Sequence, residues 1–158
     1  MSESNPIRVF VTHAFAESDD YLRLFEFLEC VDRFYYVNVS KPENIPPEGG
    51  LDAIKEELIE QIKASEAVIV APDVYAGKPD LVNFMMDAAT ANKIGMITIR
   101  PFGGISELPA EVIDRCAEHV QWNAREIVDA IKRQGRGEDT ARWEVIDFPG
   151  FDADGELK

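Results

Sequence analysis

The chain has 158 residues, 46% of them hydrophobic and 29% charged, and its 30 acidic and 16 basic side chains give a formal net charge of −14. That length suits a single domain with a real core. The sign of the charge argues against nucleic acid and anionic membrane as general partners, since both need basic surface, and does not exclude a small anion held by local backbone amides.

The elements alternate. I-R-V-F-V-T (Ile7 to Thr12) is β-branched and aromatic and predicts a buried strand. Ser18 and Asp19 suit a helix start, and Tyr21, Leu24, Phe25, Leu28 and Val31 then recur at helical spacing. F-Y-Y-V-N-V-S (Phe34 to Ser40) predicts a second strand. Lys41 to Gly50 holds three prolines and two glycines and predicts a long loop. Leu51, Ile54, Leu58 and Ile62 mark the packed face of a second helix, with Glu56, Glu57 and Glu60 toward solvent. A-V-I-V-A-P (Ala67 to Pro72) is apolar throughout, as a central parallel strand should be. Pro79 fits the first turn of a third helix and Asp80 its positive end. M-I-T-I-R-P (Met96 to Pro101) predicts the fourth strand, Pro109 to Glu118 a helix, and H-V-Q-W (His119 to Trp122) a short fifth strand. Asn123 with Glu126 resembles a capping box that opens the last helix.

Five strands alternating with helices predict a doubly wound parallel sheet, a flavodoxin-like three-layer α/β/α domain over residues 1–134 with strand order 2-1-3-4-5. Residues 135–158 change character. They are polar and acidic, with Trp143, Val145, Ile146, Phe148 and Phe151 interspersed, and read as a tail whose aromatics pack back on the domain or dock on a partner. Cys30 and Cys116 lie far apart, each inside an amphipathic segment. No CxxC or Cys/His cluster occurs, so no metal is expected and both cysteines read as buried free thiols of a reducing compartment. The start M-S-E-S-N-P lacks the features of a signal peptide, and no apolar run has bilayer-spanning length, so a cytoplasmic location is expected.

In such a sheet, ligands bind beyond the carboxyl ends of the strands. The segments there, Thr12–Ser18, Ser40–Gly50, Ala71–Pro79 and Arg100–Gly104, offer Thr12, His13, Asn38, Ser40, Asp73, Tyr75 and Arg100. His13 reads as a structural histidine before a general base, and Arg100 as a carboxylate partner before a phosphate holder. Tyr75 reads equally as a plug of the sheet end or a platform for a nucleobase. No phosphate loop and no G-x-S-x-G elbow occurs. A response-regulator receiver would need acidic residues after the first strand and a Lys after the fifth; those places read T-H-A-F and W-N-A-R, although Asp73 is near the phosphoacceptor position.

Three stretches, R-V-F-V-T-H-A-F with D-D-Y after it, A-S-E-A-V-I-V-A-P-D-V-Y-A, and L-P-A-E-V-I-D-R-C-A-E-H-V-Q-W-N-A-R-E-I-V-D-A-I, resemble in order and spacing the TIR-like proteins of bacteria and archaea. The resemblance covers about Ile7 to Arg133. It implies either NAD cleavage, including the making of nucleotide signals in antiviral defence, or signal transduction through protein contacts, among them homotypic TIR–TIR self-association. In the enzymes an essential Glu stands on the third helix, in a pattern like Y-x-x-x-S-x-W-x-x-x-E. Laid on this chain without a gap from Tyr75, the Ser, Trp and Glu positions are Pro79, Leu81 and Met85. A thioether cannot ionise. The expectation is therefore a pseudoenzyme that binds a protein or a nucleotide-like ligand such as NAD, through Thr12, His13, Ser40, Tyr75 and Arg100. The alternative is an active NAD glycohydrolase or nucleotide-signal synthase with a carboxylate relocated to Asp73 or Asp80. Asp87, two residues past Met85, should face away from the cleft.

Overall fold

A computed structural model describes residues 1–103 and 108–138. It holds strands β1 (Ile7–Val11), β2 (Tyr36–Asn38), β3 (Ala67–Val70), β4 (Gly95–Ile99) and β5 (Glu118–Val120). Between and after them come helices α1 (Asp19–Glu29), α2 (Gly50–Lys63), α3 (Pro72–Gly77), α4 (Pro79–Ala91), α5 (Ala110–Arg115) and α6 (Ala124–Arg136). The strands form one all-parallel sheet in the order β2-β1-β3-β4-β5, the flavodoxin-like arrangement expected from the alternation.

β3 is buried at every position, which is why A-V-I-V carries no polar residue. β1 buries Ile7, Val9, Phe10 and Val11 and exposes only Arg8. α1 packs beside α6, and α2 beside α4, so helices cover both faces of the sheet. Gly135 lets α6 approach closely: a Cβ there would meet the Ile7 Cδ1 methyl at 2.5 Å. α6 stops at Gly137, whose φ of 64° suits a residue without a side chain. The Gly137 and Glu138 amides close the last turn on the Arg133 and Lys132 carbonyls.

Several sequence expectations need correction. Ala71–Pro79 is not a loop: Pro72–Gly77 forms α3, with Pro72 in its first turn. Six residues are too few to display a periodic stripe, so the helix left no pattern to find. Cys30 is exposed at the α1 C-cap, whereas Cys116 is buried as expected and burial pushes its thiol up to about 12. Leu51 is 58% exposed despite its place on the Ile54–Leu58–Ile62 stripe. The second strand is shorter than expected, yet Phe34 before it is buried and stacks on Tyr36. Of the tail expected over residues 135–158, Gly135 and Arg136 belong to α6 and Gly137 caps it, while residues 139–158 lie outside the described residues.

Arg136, at the end of α6, ties that helix to the segments before β1 and β3. Its guanidinium donates to Glu66 Oε1 at 2.6 Å and Oε2 at 2.9 Å, and to the carbonyls of Pro6 and Asn5. That grip, first of all, holds the Glu66 carboxyl below its usual range. A lowered carboxyl pKa stabilises the fold above the unfolded carboxyl's pKa and ceases to do so as pH falls through the folded value. We expect Arg136→Leu to destabilise the protein by about 2 kcal/mol in urea unfolding at neutral pH. The difference from the parent should shrink in acid, as Glu66 protonates.

Candidate functional site

Among the described residues, two recesses lie at the carboxyl ends of the strands. One, about 320 Å³, lies between the ends of β3 and β4, α3 and the start of α5. Its walls include Asp20, Asp73, Tyr75, Thr98 and Phe102. The other, about 730 Å³, lies between the segment after β1, the segment before α2, and the junction of α3 with α4. Its walls include Phe15, Ile45, Leu51, Lys55, Lys78, Asp80 and Leu81.

The predicted site residues divide among these places. Thr12 is fully buried and structural: its Oγ1 accepts from the Ala71 amide at 2.9 Å, joining β1 to the end of β3. His13 is also fully buried. Its Nδ1 accepts from the Phe15 amide at 3.0 Å, so the ring proton is on Nε2 and is donated to Gln61 Oε1 at 2.9 Å. Gln61 Oε1 also accepts from the Lys41 amide, while its Nε2 donates to the Lys41 carbonyl and to Glu57. One neutral imidazole thus anchors both segments that edge the larger cleft. Burial lowers the His13 pKa, against the hydrogen bond that the ring donates to Gln61 and the charges of Glu43 and Glu57. Phe15, held by that imidazole, has a φ of 60°, a costly conformation for a bulky side chain and one that recurs at ligand sites. Ser40 is buried in a knot with Asn38 and the Tyr21 hydroxyl. Arg100 is exposed and lines neither recess; its amide bonds to the Val120 carbonyl.

Asp73 is committed to structure. Its Oδ1 accepts from Ser18 Oγ at 2.9 Å and its Oδ2 from the Asp20 amide at 3.0 Å. The Asp73 amide donates in return to Asp20 Oδ2 at 3.1 Å. Each carboxylate therefore caps the other's helix. Arg23 Nη1 reaches Asp20 Oδ1 at 2.6 Å, and its guanidinium lies 3.9 Å from the centroid of the Phe102 ring. Burial, then the charge of Asp73, raises the Asp20 carboxyl above its usual range. Sequence reasoning missed Asp20, which was legible only as part of D-D-Y.

Tyr75 is buried in the smaller recess, away from the larger cleft. Burial raises its pKa first, with Asn83, Glu111 and Asp80 around the hydroxyl. Met85 is fully buried and lines neither recess, as are Met86, Val82 and Ala89 on the same helix. Asp80 is exposed in the first turn of α4 and stands on the wall of the larger cleft with Lys55 and Lys78. Asp87 faces out and pairs with Arg115 at 2.5 Å, as its spacing from Met85 required. No group of His, Cys, Asp and Glu among the described residues could hold a metal ion, and no helix among them is long and apolar enough to cross a membrane.

A scan of protein-family models finds none that matches the chain, and no curated protein matches it either.

Two outcomes follow from this geometry. Asp73→Ala should lower stability by about 1–2 kcal/mol in urea unfolding, because it uncaps α1 and leaves Ser18 without its acceptor. A role confined to ligand chemistry would leave the unfolding midpoint unchanged. A folded-state His pKa below the unfolded value of 6.5 stabilises the fold above that pH and loses the contribution as pH falls through the folded pKa. We expect stability to fall on acidification just below 6.5, and His13→Gln to flatten that slope.

Proposed function

We propose that this chain is a TIR-like module that acts by binding at the larger cleft and does not cleave NAD. The observation that carries this reading is the placement of the carboxylates. The position that the resemblance aligns with the catalytic Glu is Met85, wholly inside the core. Asp73 spends both oxygens on the start of α1. What the cleft does offer is a volume of about 730 Å³, apolar walls and two lysines. That combination suits a partly apolar, anionic ligand of nucleotide-like character or an acidic segment of protein. Homotypic association belongs to the same reading.

One observation favours a second reading. Asp80 is an exposed carboxylate on the wall of that cleft, and a relocated catalytic group would have to stand in such a place.

The test is incubation of the purified protein with NAD, with nicotinamide release followed by chromatography. No release above the blank is expected. Turnover that disappears in Asp80→Asn would overturn the reading in favour of the second. Calorimetric titration with NAD then distinguishes nucleotide binding from purely protein contacts, which a sizing column reads as added mass. Replacing Met85 by Glu should not create activity. It should cost about 3 kcal/mol or more of stability, because it buries a carboxylate.

A further inference from the structure

Of the two histidines in the chain, His119 is exposed and His13 is fully buried. The His13 ring makes two hydrogen bonds of opposite sense. Its Nε2 donates to Gln61 Oε1 at 2.9 Å, and its Nδ1 accepts from the Phe15 amide at 3.0 Å. A second proton would go on Nδ1. The two bonds then fare differently. The bond to Gln61 keeps its donor and gains charge, so it strengthens. The bond from Phe15 is lost, because two N–H groups would face each other and a buried cation would lack an acceptor. The segment on that side is also the strained one. Phe15 has a φ of 60°, which a bulky side chain leaves when nothing holds it there. Phe15 stands with Ala14 on the wall of the larger cleft.

We propose that His13 is a proton-operated latch on one wall of the larger cleft. With the ring neutral, the Phe15 amide is held and that wall is closed. On protonation the Ala14–Phe15 segment swings off, the new Nδ1–H reaches water, and Phe15 relaxes to negative φ. The wall on the α2 side stays, because Gln61 continues to hold the Lys41 amide and carbonyl. The groups around the ring set the balance. Phe10, Phe15 and the titratable Tyr21 pack against it, and the Tyr21 hydroxyl is bonded to Ser40 and Asn38 instead of to the ring. Burial disfavours the imidazolium, whereas the charges of Glu43, before α2, and Glu57, on α2, favour it. Burial is the larger effect, so the latch opens below 6.5, the ordinary value for His. A ligand that packs on Phe15 takes the closed form. It is therefore released as the latch opens, and by linkage it drives the proton off His13.

The latch rests for its purpose on the binding role proposed above for this cleft, but its test uses no ligand. Amide exchange of the full chain is followed by NMR at a series of pH values and low ionic strength. The rate at Phe15 is divided by the rate at Lys41, which cancels the direct effect of pH on exchange. The ratio should rise about tenfold per pH unit as pH falls toward the His13 pKa, because the protonated fraction does so, and level off below it. In His13→Gln, whose amide oxygen accepts from Phe15 without taking a proton, the ratio should stay flat. Glu43→Gln changes an exposed residue outside every helix and strand, so it keeps the fold, and it should move the rise to lower pH. A flat ratio in the parent, including one in which both amides open together, would overturn the proposal. So would a rise that survives His13→Gln or, should that variant not fold, one that Glu43→Gln leaves in place. NAD turnover and binding heat are read separately, so each idea can fail alone.

Discussion

The reciprocal capping of Asp20 and Asp73 is the interaction on which the carboxyl edge of this sheet depends. A parallel sheet leaves all its helix N-termini at one edge, each with unpaired amides. Here two of those helices satisfy each other: the Asp73 carboxylate takes the Asp20 amide and the Asp20 carboxylate takes the Asp73 amide. Two neighbouring carboxylates repel, and burial sharpens the repulsion. The arrangement is held by Ser18, which donates to one, and by Arg23, which neutralises the other. Its consequence is spatial. α3 is drawn against α1, and the short helix then lines both recesses found among the described residues, one with Asp73 and Tyr75 and the other with Gly77.

That division decides which residues line a recess together, although the charge of Asp80 reaches the Tyr75 hydroxyl. Tyr75 and Asp73 fall on one side, Phe15, Lys55, Lys78 and Asp80 on the other. The larger recess is framed by segments that would have little reason to hold still by themselves. The His13 imidazole and the Gln61 amide supply the missing order, because they take up backbone groups of Phe15 and Lys41 that a loop would otherwise leave to water. A neutral ring suits this task, since Nδ1 must accept while Nε2 donates.

The fold was legible because its signals are strong and redundant. β-branched runs in A-V-I-V and M-I-T-I, Pro79 and Asp80 opening one helix and Asn123 another all point the same way. The site was less legible, for identifiable reasons. Thr12, His13 and Ser40 look like ligand residues because polar groups at strand ends usually face a cleft, but here they satisfy a backbone amide or a polar side chain of the interior. Their partners, Ala71, Gln61 and Tyr21, are distant in sequence and carry no motif. Asp20 escaped notice because a first-turn acid is ordinary, and its partner stood on a helix too short to show a period. Leu51 followed the helical stripe faithfully; what its pattern could not tell was that the stripe runs past the edge of the described core.

The burial of Met85 bears on how chemistry could arise at such an edge at all. Val82, Met85, Met86 and Ala89 lock the middle of α4 into the core, so an acid introduced there would carry the full desolvation penalty without reaching the cleft. Turning the helix to expose position 85 would drag the others out with it, because rigid helix faces move together. The first turn is under no such constraint. Pro79 and Asp80 are exposed, follow a junction at Lys78 that lies outside helical geometry, and stand on the cleft wall. In this architecture a reactive group at the larger cleft belongs to the opening of α4, and the interior of the helix belongs to the core.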